Sequence, residues 1–253
     1  MNFKPVLNAL EAHPEIEVTR GILLPGISET ALRQVETAYG GPLKPEIRDF
    51  YRHHNGVVIE WIWQGSDLYE APGRPREDAE LPFVLDLLND YSPPLDGQLI
   101  LLPLEEVLVP DFEEFSAHSD FGTEIAYAEY LEPEDASLAG PAVQFGERRY
   151  RSEEDFRAQW RYFDFYLRDS GAVLLYEGGQ PDPTVLFVET SWSRYDPARQ
   201  LPLSAYLKRV YQDLGFRWRR HKYFETPADK DSDASPAERL AELLENYPLR
   251  RKT

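Results

Sequence analysis

Apolar positions in this chain follow two periods, and the switches between them mark out its elements. Val6, Leu7 and Leu10 predict a short helix over 1–14 that Pro14 ends. Ile22 to Leu24 reads as a brief extended piece. Ala31, Leu32, Val35, Ala38 and Tyr39 then line one face of a helix from Glu29 to Tyr39, with Ser28 as its N-cap and Gly40-Gly41 as its stop. Pro45 suits the first position of the next helix, along which Ile47, Phe50, Tyr51 and His54 repeat, and Asn55-Gly56 permits left-handed backbone at its end. From Val57 the period drops to two. Val57, Ile59, Trp61 and Trp63 form a heavily apolar strand face, and Val58, Glu60, Ile62 and Gln64 a mixed one.

Gly65 to Arg76 is loop-like, and residues 81–91 read as a short helix. Gln98 to Leu102 is an apolar run of buried-strand length, after which Pro103 opens a helical turn. In that turn Glu105 and Glu106 complement the helix dipole while Leu104, Val107 and Leu108 face inward. Residues 111–140 mix acids, aromatics and small side chains without a legible period. Ser152 with Asp155 resembles a capping box, and Phe156, Trp160, Phe163 and Leu167 keep helical spacing, which predicts a helix of about three turns. Residues 172–176 and 184–189 are β-rich runs joined by Gly178 to Pro183, a hairpin with a long loop. Leu207, Val210, Tyr211 and Leu214 predict a helix with Ser204 as cap and Gly215 as stop. Thr226 to Ser235 is polar, and Ser235 to Glu238 caps a terminal helix whose stripe of Leu240, Leu243 and Leu244 can dock on the domain or on another chain. The expected organisation is one domain over 1–224, a linker over 225–235, and a helix and tail over 236–253.

Composition narrows the class. With 253 residues, 42% of them hydrophobic and 13% aromatic, the chain can bury a real core and is not a disordered one. The absence of cysteine excludes disulfides, thiolate metal sites and cysteine nucleophiles. No stretch approaches the ~18 apolar residues of a membrane span, and the N-terminus lacks the apolar stretch of a signal peptide, so a soluble, cytoplasmic protein is expected.

Charge adds the strongest signal. The net charge is −18, from 45 acidic and 27 basic residues, and its distribution is uneven. Between Glu77 and Glu147 there are 18 acidic residues and no Lys or Arg, which holds the whole excess. A field of that sign repels phosphate backbones and steers basic partners inward, although acids also serve simply to solvate a surface.

Candidate chemistry is sparse. No nucleophile elbow or Ser-x-x-Lys arrangement occurs, and Gly178-Gly179 is not followed by a helix that would cradle phosphate. Asp111, Glu113, Glu114, His118 and Asp120 gather potential metal ligands, but their spacing fits neither an EF-hand nor a zinc helix. His53 and His54 are adjacent, so one helical face does not present both to a metal; a helix-end pair near the dipole is the better reading. Carboxylates and aromatics suit glycoside hydrolysis, but Trp61, Trp63, Trp160 and Trp192 already have core positions. Glu60, between apolar neighbours, is expected to pair with an arginine. The basic run Arg217, Arg219, Arg220, His221 and Lys222 would pair internally with acids and does not indicate nucleic acid. No cofactor and no metal are expected.

Leu32, Val35, Glu36, Gly40, Leu43, Pro45, Phe50, Tyr51, Asn55 and Gly56, followed by Leu101-Leu102-Pro103-Leu104-Glu105-Glu106-Val107, form a pattern that resembles the SUKH superfamily, the Smi/Knr-like proteins. The hairpin at 172–189 and a helix bearing Tyr206-Leu207 follow in the expected order, so the resemblance spans roughly residues 25–224. Lys44 departs from it, standing between Leu43 and Pro45. The resemblance implies an α+β fold, one mixed or mostly antiparallel sheet with helices packed around it. It also implies a non-enzymatic binding role, either as an immunity protein that blocks a toxin or as a regulatory hub.

The expected function is therefore toxin neutralisation through an acidic surface that covers a basic toxin domain, with no nucleic acid and no membrane involved. Glu105, Glu106, Asp111, Glu113, Glu114, Asp120 and Glu124 are the candidate partner-binding residues. A regulatory scaffold and a carbohydrate-active enzyme are the alternatives.

Overall fold

The computed structural model describes residues 1–66, 95–109, 143–145, 148–152, 155–156, 159–167, 170–189, 194–224 and 234–247. Helix α1 (Lys4–Ala12) leads into strand β1 (Ile16–Leu23), and helices α2 (Glu29–Tyr39) and α3 (Pro45–His53) lead into β2 (Val57–Trp63). Strand β3 (Gly97–Leu101) and helix α4 (Leu104–Leu108) precede a small hairpin of β4 (Val143–Phe145) and β5 (Arg148–Tyr150). Four strands follow, β6 (Trp160–Leu167), β7 (Ser170–Leu175), β8 (Thr184–Glu189) and β9 (Arg194–Pro202). Helix α5 (Leu203–Gln212), a 3₁₀ segment at Arg217–Phe224 and helix α6 (Pro236–Glu245) complete the described chain.

Local signals fix most of these boundaries. The Ser28 side chain accepts a hydrogen bond from the Ala31 amide (3.1 Å), and Gly40 closes α2 at φ 98°, a conformation that glycine adopts without steric cost. Ser235 and Glu238 complete a reciprocal capping box on α6. Asp182 caps α5 from the β7–β8 loop, accepting from the Ser204 amide at 2.9 Å, while Pro202 occupies the N-cap position. Ser204 therefore does not cap this helix as the sequence pattern predicts; its hydroxyl donates to Asp182 instead (2.6 Å).

Seven strands form one sheet in the order β1-β2-β3-β6-β7-β8-β9, every neighbouring pair antiparallel. Six α-helices among the described residues accompany it, which makes the fold α+β. Alternation along β7 and β8 separates two clusters. Ala172, Leu174, Val185 and Phe187 join the main core under the helices, whereas Val173, Leu175, Leu186 and Val188 pack against Phe145, Tyr150, Phe156 and Trp160 on the opposite face. All seven residues of β2 are buried, so that strand is covered on both sides. Leu240, Leu243 and Leu244 of α6 belong to the main core, so the terminal helix docks on the domain itself. No helix among the described residues is long and apolar enough to cross a membrane.

Two expectations change. Of the helix predicted through Phe156, Trp160, Phe163 and Leu167, residues 155–156 are helical among the described residues, and β6 occupies the part from Trp160 onward. Residues three apart share a helix face but take opposite faces of a strand, so a strand buried on both sides imitates helical spacing. Trp160 enters the smaller cluster and Phe163 the main core, with a register shift between Tyr162 and Asp164. The extended piece predicted at 22–24 is the end of a longer strand that begins at Ile16 and is interrupted by a bulge between Val18 and Arg20. The helix expected at 81–91 lies outside the described residues.

Candidate functional site

Of the seven candidate contact acids, Glu105 and Glu106 are described, and Asp111, Glu113, Glu114, Asp120 and Glu124 lie outside the described residues. Asn55 donates from Nδ2 to both carboxylate oxygens of Glu105 (2.8 and 2.9 Å), and its Oδ1 accepts from the Leu104 amide (3.1 Å). One asparagine in the α3–β2 turn thus caps α4 and holds its first acidic residue. Glu106 is buried beside Tyr51, whose hydroxyl is pushed far up by burial and by the two nearby carboxylates. Asp96, a third member of the acidic stretch, is buried and accepts from the Trp63 amide (2.7 Å) and the Ser66 hydroxyl (2.7 Å).

These three acids are engaged inside the fold, which moves the charge elsewhere. The described residues include 21 acidic and 19 basic side chains, nearly balanced against a chain total of 45 and 27. The other 15 acids of the stretch from Glu77 to Glu147 fall between the described segments. The run 67–94 leaves from Ser66 and returns beside Asp96, and the run 110–142 leaves after α4 and returns at β4.

The densest charged cluster among the described residues is wholly inside. Arg220 donates through Nη1 to Asp164, and through Nη2 to the Gln98 carbonyl (2.8 Å). Tyr206 also donates to Asp164, and the Ile100 amide reaches its other oxygen at 3.2 Å. Desolvation drives the Asp164 carboxyl upward, opposed by the Arg220 charge and these hydrogen bonds. Asp164 and Arg220 are both 0% exposed, so no substrate reaches either of them, and the pair ties β6 to β3 and to the 3₁₀ segment.

Neighbouring pairs extend this pattern. Arg219 meets Asp213 at 3.2 Å, and Arg239 of α6 approaches the same carboxylate at 3.9 Å. Arg217 donates to the Leu95 carbonyl (3.3 Å), and burial lowers its guanidinium to about 10. Arg219 and Arg220 thus pair with acids as the charge argument expects, whereas Arg217 donates to a backbone carbonyl and Lys222 is exposed. Glu60 meets Arg20 at 3.4 Å and accepts from Gln98 at 3.0 Å, the arginine pairing expected of it.

Histidines serve the scaffold as well. His54 caps the end of α3, and its Nε2 accepts from the Phe3 amide (3.0 Å). Burial and the adjacent His53 hold its imidazole below the usual range. Among the described residues no group of three or more His, Asp or Glu side chains is arranged to hold a metal; the cluster from Asp111 to Asp120 lies outside them.

Sequence reasoning missed Asp164, Arg220 and Tyr206 as a unit. The available signal was a single aspartate inside the aromatic run Trp160–Leu167, an ion that a buried strand tolerates only with a partner. No protein-family model, no curated protein and no solved structure matches this chain.

Proposed function

We propose that this chain is a non-enzymatic protein-binding module, a toxin-neutralising immunity protein of the SUKH type, that engages a basic toxin domain through its acidic stretch. The observation that carries this reading is the partition of charge. The described scaffold is nearly neutral, at 21 acidic against 19 basic side chains, and uses Asp96, Glu105, Asp164 and Asp213 internally, so −16 of the chain's −18 is carried by the residues outside it. Acids concentrated without interspersed bases accelerate encounter with a basic partner and reject nucleic acid.

Exchanging Glu113, Glu114, Asp120 and Glu124 for Lys tests the assignment. Association with the partner, captured from the native cells at low and high salt, slows by at least about tenfold at low salt while the thermal transition stays in place. A folded quadruple variant that associates at the original rate sinks the surface assignment. Several substoichiometric partners in the same capture would favour the regulatory scaffold.

A further inference from the structure

We propose that the outer edge of β1 accepts an extended, acidic peptide segment of a partner protein as an added strand, seating one carboxylate side chain in the groove between β1 and α1. This surface is separate from the acidic stretch and does not depend on it.

β1 is an edge strand of the described sheet, and its hydrogen-bonding phase is set at both ends. The Leu24 amide donates to the Gly56 carbonyl (3.1 Å), and the Gln64 amide to the Glu15 carbonyl (2.8 Å). Antiparallel partners alternate between pairs that exchange bonds and pairs that do not, so Ile22 faces β2 while Gly21 and Leu23 aim their N–H and C=O groups outward. Nothing among the described residues bonds to those outward groups. The opposite edge, β9, is protected differently, with Pro197 and Pro202 in its sequence.

Beside this edge lies a groove of about 560 Å³ whose lining includes Lys4, Leu7, Gly21, Leu23, His53 and His54. Gly21 lets Leu7 lie flat against the strand, since a Cβ there would come within 2.8 Å of the Leu7 methyl. Lys4 supplies a positive charge at the rim, and no carboxylate lines the groove among the described residues. Asp49, the nearest acid on α3, is engaged by the Met1 ammonium group and by His53 (3.7 Å). On the other side of the strand stands Ile22, 41% exposed, the one large apolar side chain exposed among the described residues.

A strand laid along Gly21 and Leu23 gains main-chain hydrogen bonds there and points alternate side chains to the two faces. One meets the cationic groove and its neighbours meet Ile22. Charge complementarity makes the first an aspartate or glutamate and leaves apolar or β-branched residues for the others.

The test uses the full chain and seven-residue peptides of alternating valine and threonine whose central position is varied. Peptides with central Glu or Asp are expected to bind at least about tenfold more tightly than the Lys peptide. Binding protects the Gly21 and Leu23 amides from hydrogen exchange, and methylation of the peptide amides abolishes it. Lys4→Glu, at an exposed first-turn position, inverts the preference, and Ile22→Lys weakens every peptide; circular dichroism verifies that both variants fold. Absence of binding, equal binding of the Glu and Lys peptides, or protection that rises with protein concentration alone overturns the proposal, the last by assigning the edge to a second copy of the chain.

Discussion

Tyr247, just beyond the last helix, donates its phenolic hydrogen bond to Asp96, which stands 151 positions earlier at the start of β3. Asp96 already receives the Trp63 amide and the Ser66 hydroxyl, so one carboxylate joins β2, β3 and the C-terminal segment. Burial and that carboxylate push the Tyr247 hydroxyl far up, which keeps it a donor at any ordinary pH.

Truncation after residue 235 is therefore expected to destabilise the whole domain rather than to trim an appendage. Leu240, Leu243 and Leu244 leave the core, each worth ~1.5–3 kcal/mol when fully buried. Urea unfolding of the shortened chain should show a midpoint far below that of the full chain, or no cooperative transition.

Asp164→Asn strands a fully buried Arg220 and is expected to cost about 3–5 kcal/mol. Replacing the pair together, with Asp164→Leu and Arg220→Met, recovers most of that loss. A double-mutant cycle by denaturant unfolding measures the coupling, and additive single losses would show that the pair contributes no interaction of its own.

Asn55→Ala removes both the cap on α4 and the anchor of Glu105, an expected loss of about 1–2 kcal/mol. Glu105→Lys should also destabilise, because the lysine cannot accept from Asn55. Thermal melts of these variants beside the Glu113, Glu114, Asp120 and Glu124 exchanges show which of the acids hold the fold.

His54 gives a pH signature. Its folded imidazole is held below the unfolded value near 6.5, so the folded state binds fewer protons in that range. Its contribution is complete above about pH 6.5 and declines as pH falls through the lowered folded value. Protonation would also take the Nε2 lone pair that accepts the Phe3 amide, loosening α1. Melts between pH 8 and 5 should show a steeper loss in the native protein than in His54→Gln.

Much of this architecture is legible in the sequence where a local group acts on its own neighbours. Ser28, Gly40 and the Ser235-Glu238 box mark helix ends because capping partners sit within a few residues. The β7–β8 hairpin is legible from its Gly- and Pro-rich loop, and the inward turn of Arg219 and Arg220 from charge balance. Legibility fails where partners are distant. Asp182 caps a helix twenty-two positions on, and Asp96, Trp63 and Tyr247 share no spacing that a pattern could reveal. It fails again at β6, where burial on both faces removes the alternation that would identify a strand. At the candidate site, Glu105 and Glu106 were legible as acids, but not as a capped anchor and a buried group.

The bond between Ser66 and Asp96 (2.7 Å) has a consequence for the connection between β2 and β3. It joins directly the residues that flank 67–94, so the two strand ends are clasped by groups of the scaffold and not only by the 28 residues between them in sequence. Loop closure grows costlier by only ~0.6 kcal/mol for each doubling of length. The length of that connection is therefore a small entropic term beside the clasp and the ladder that hold β2 to β3.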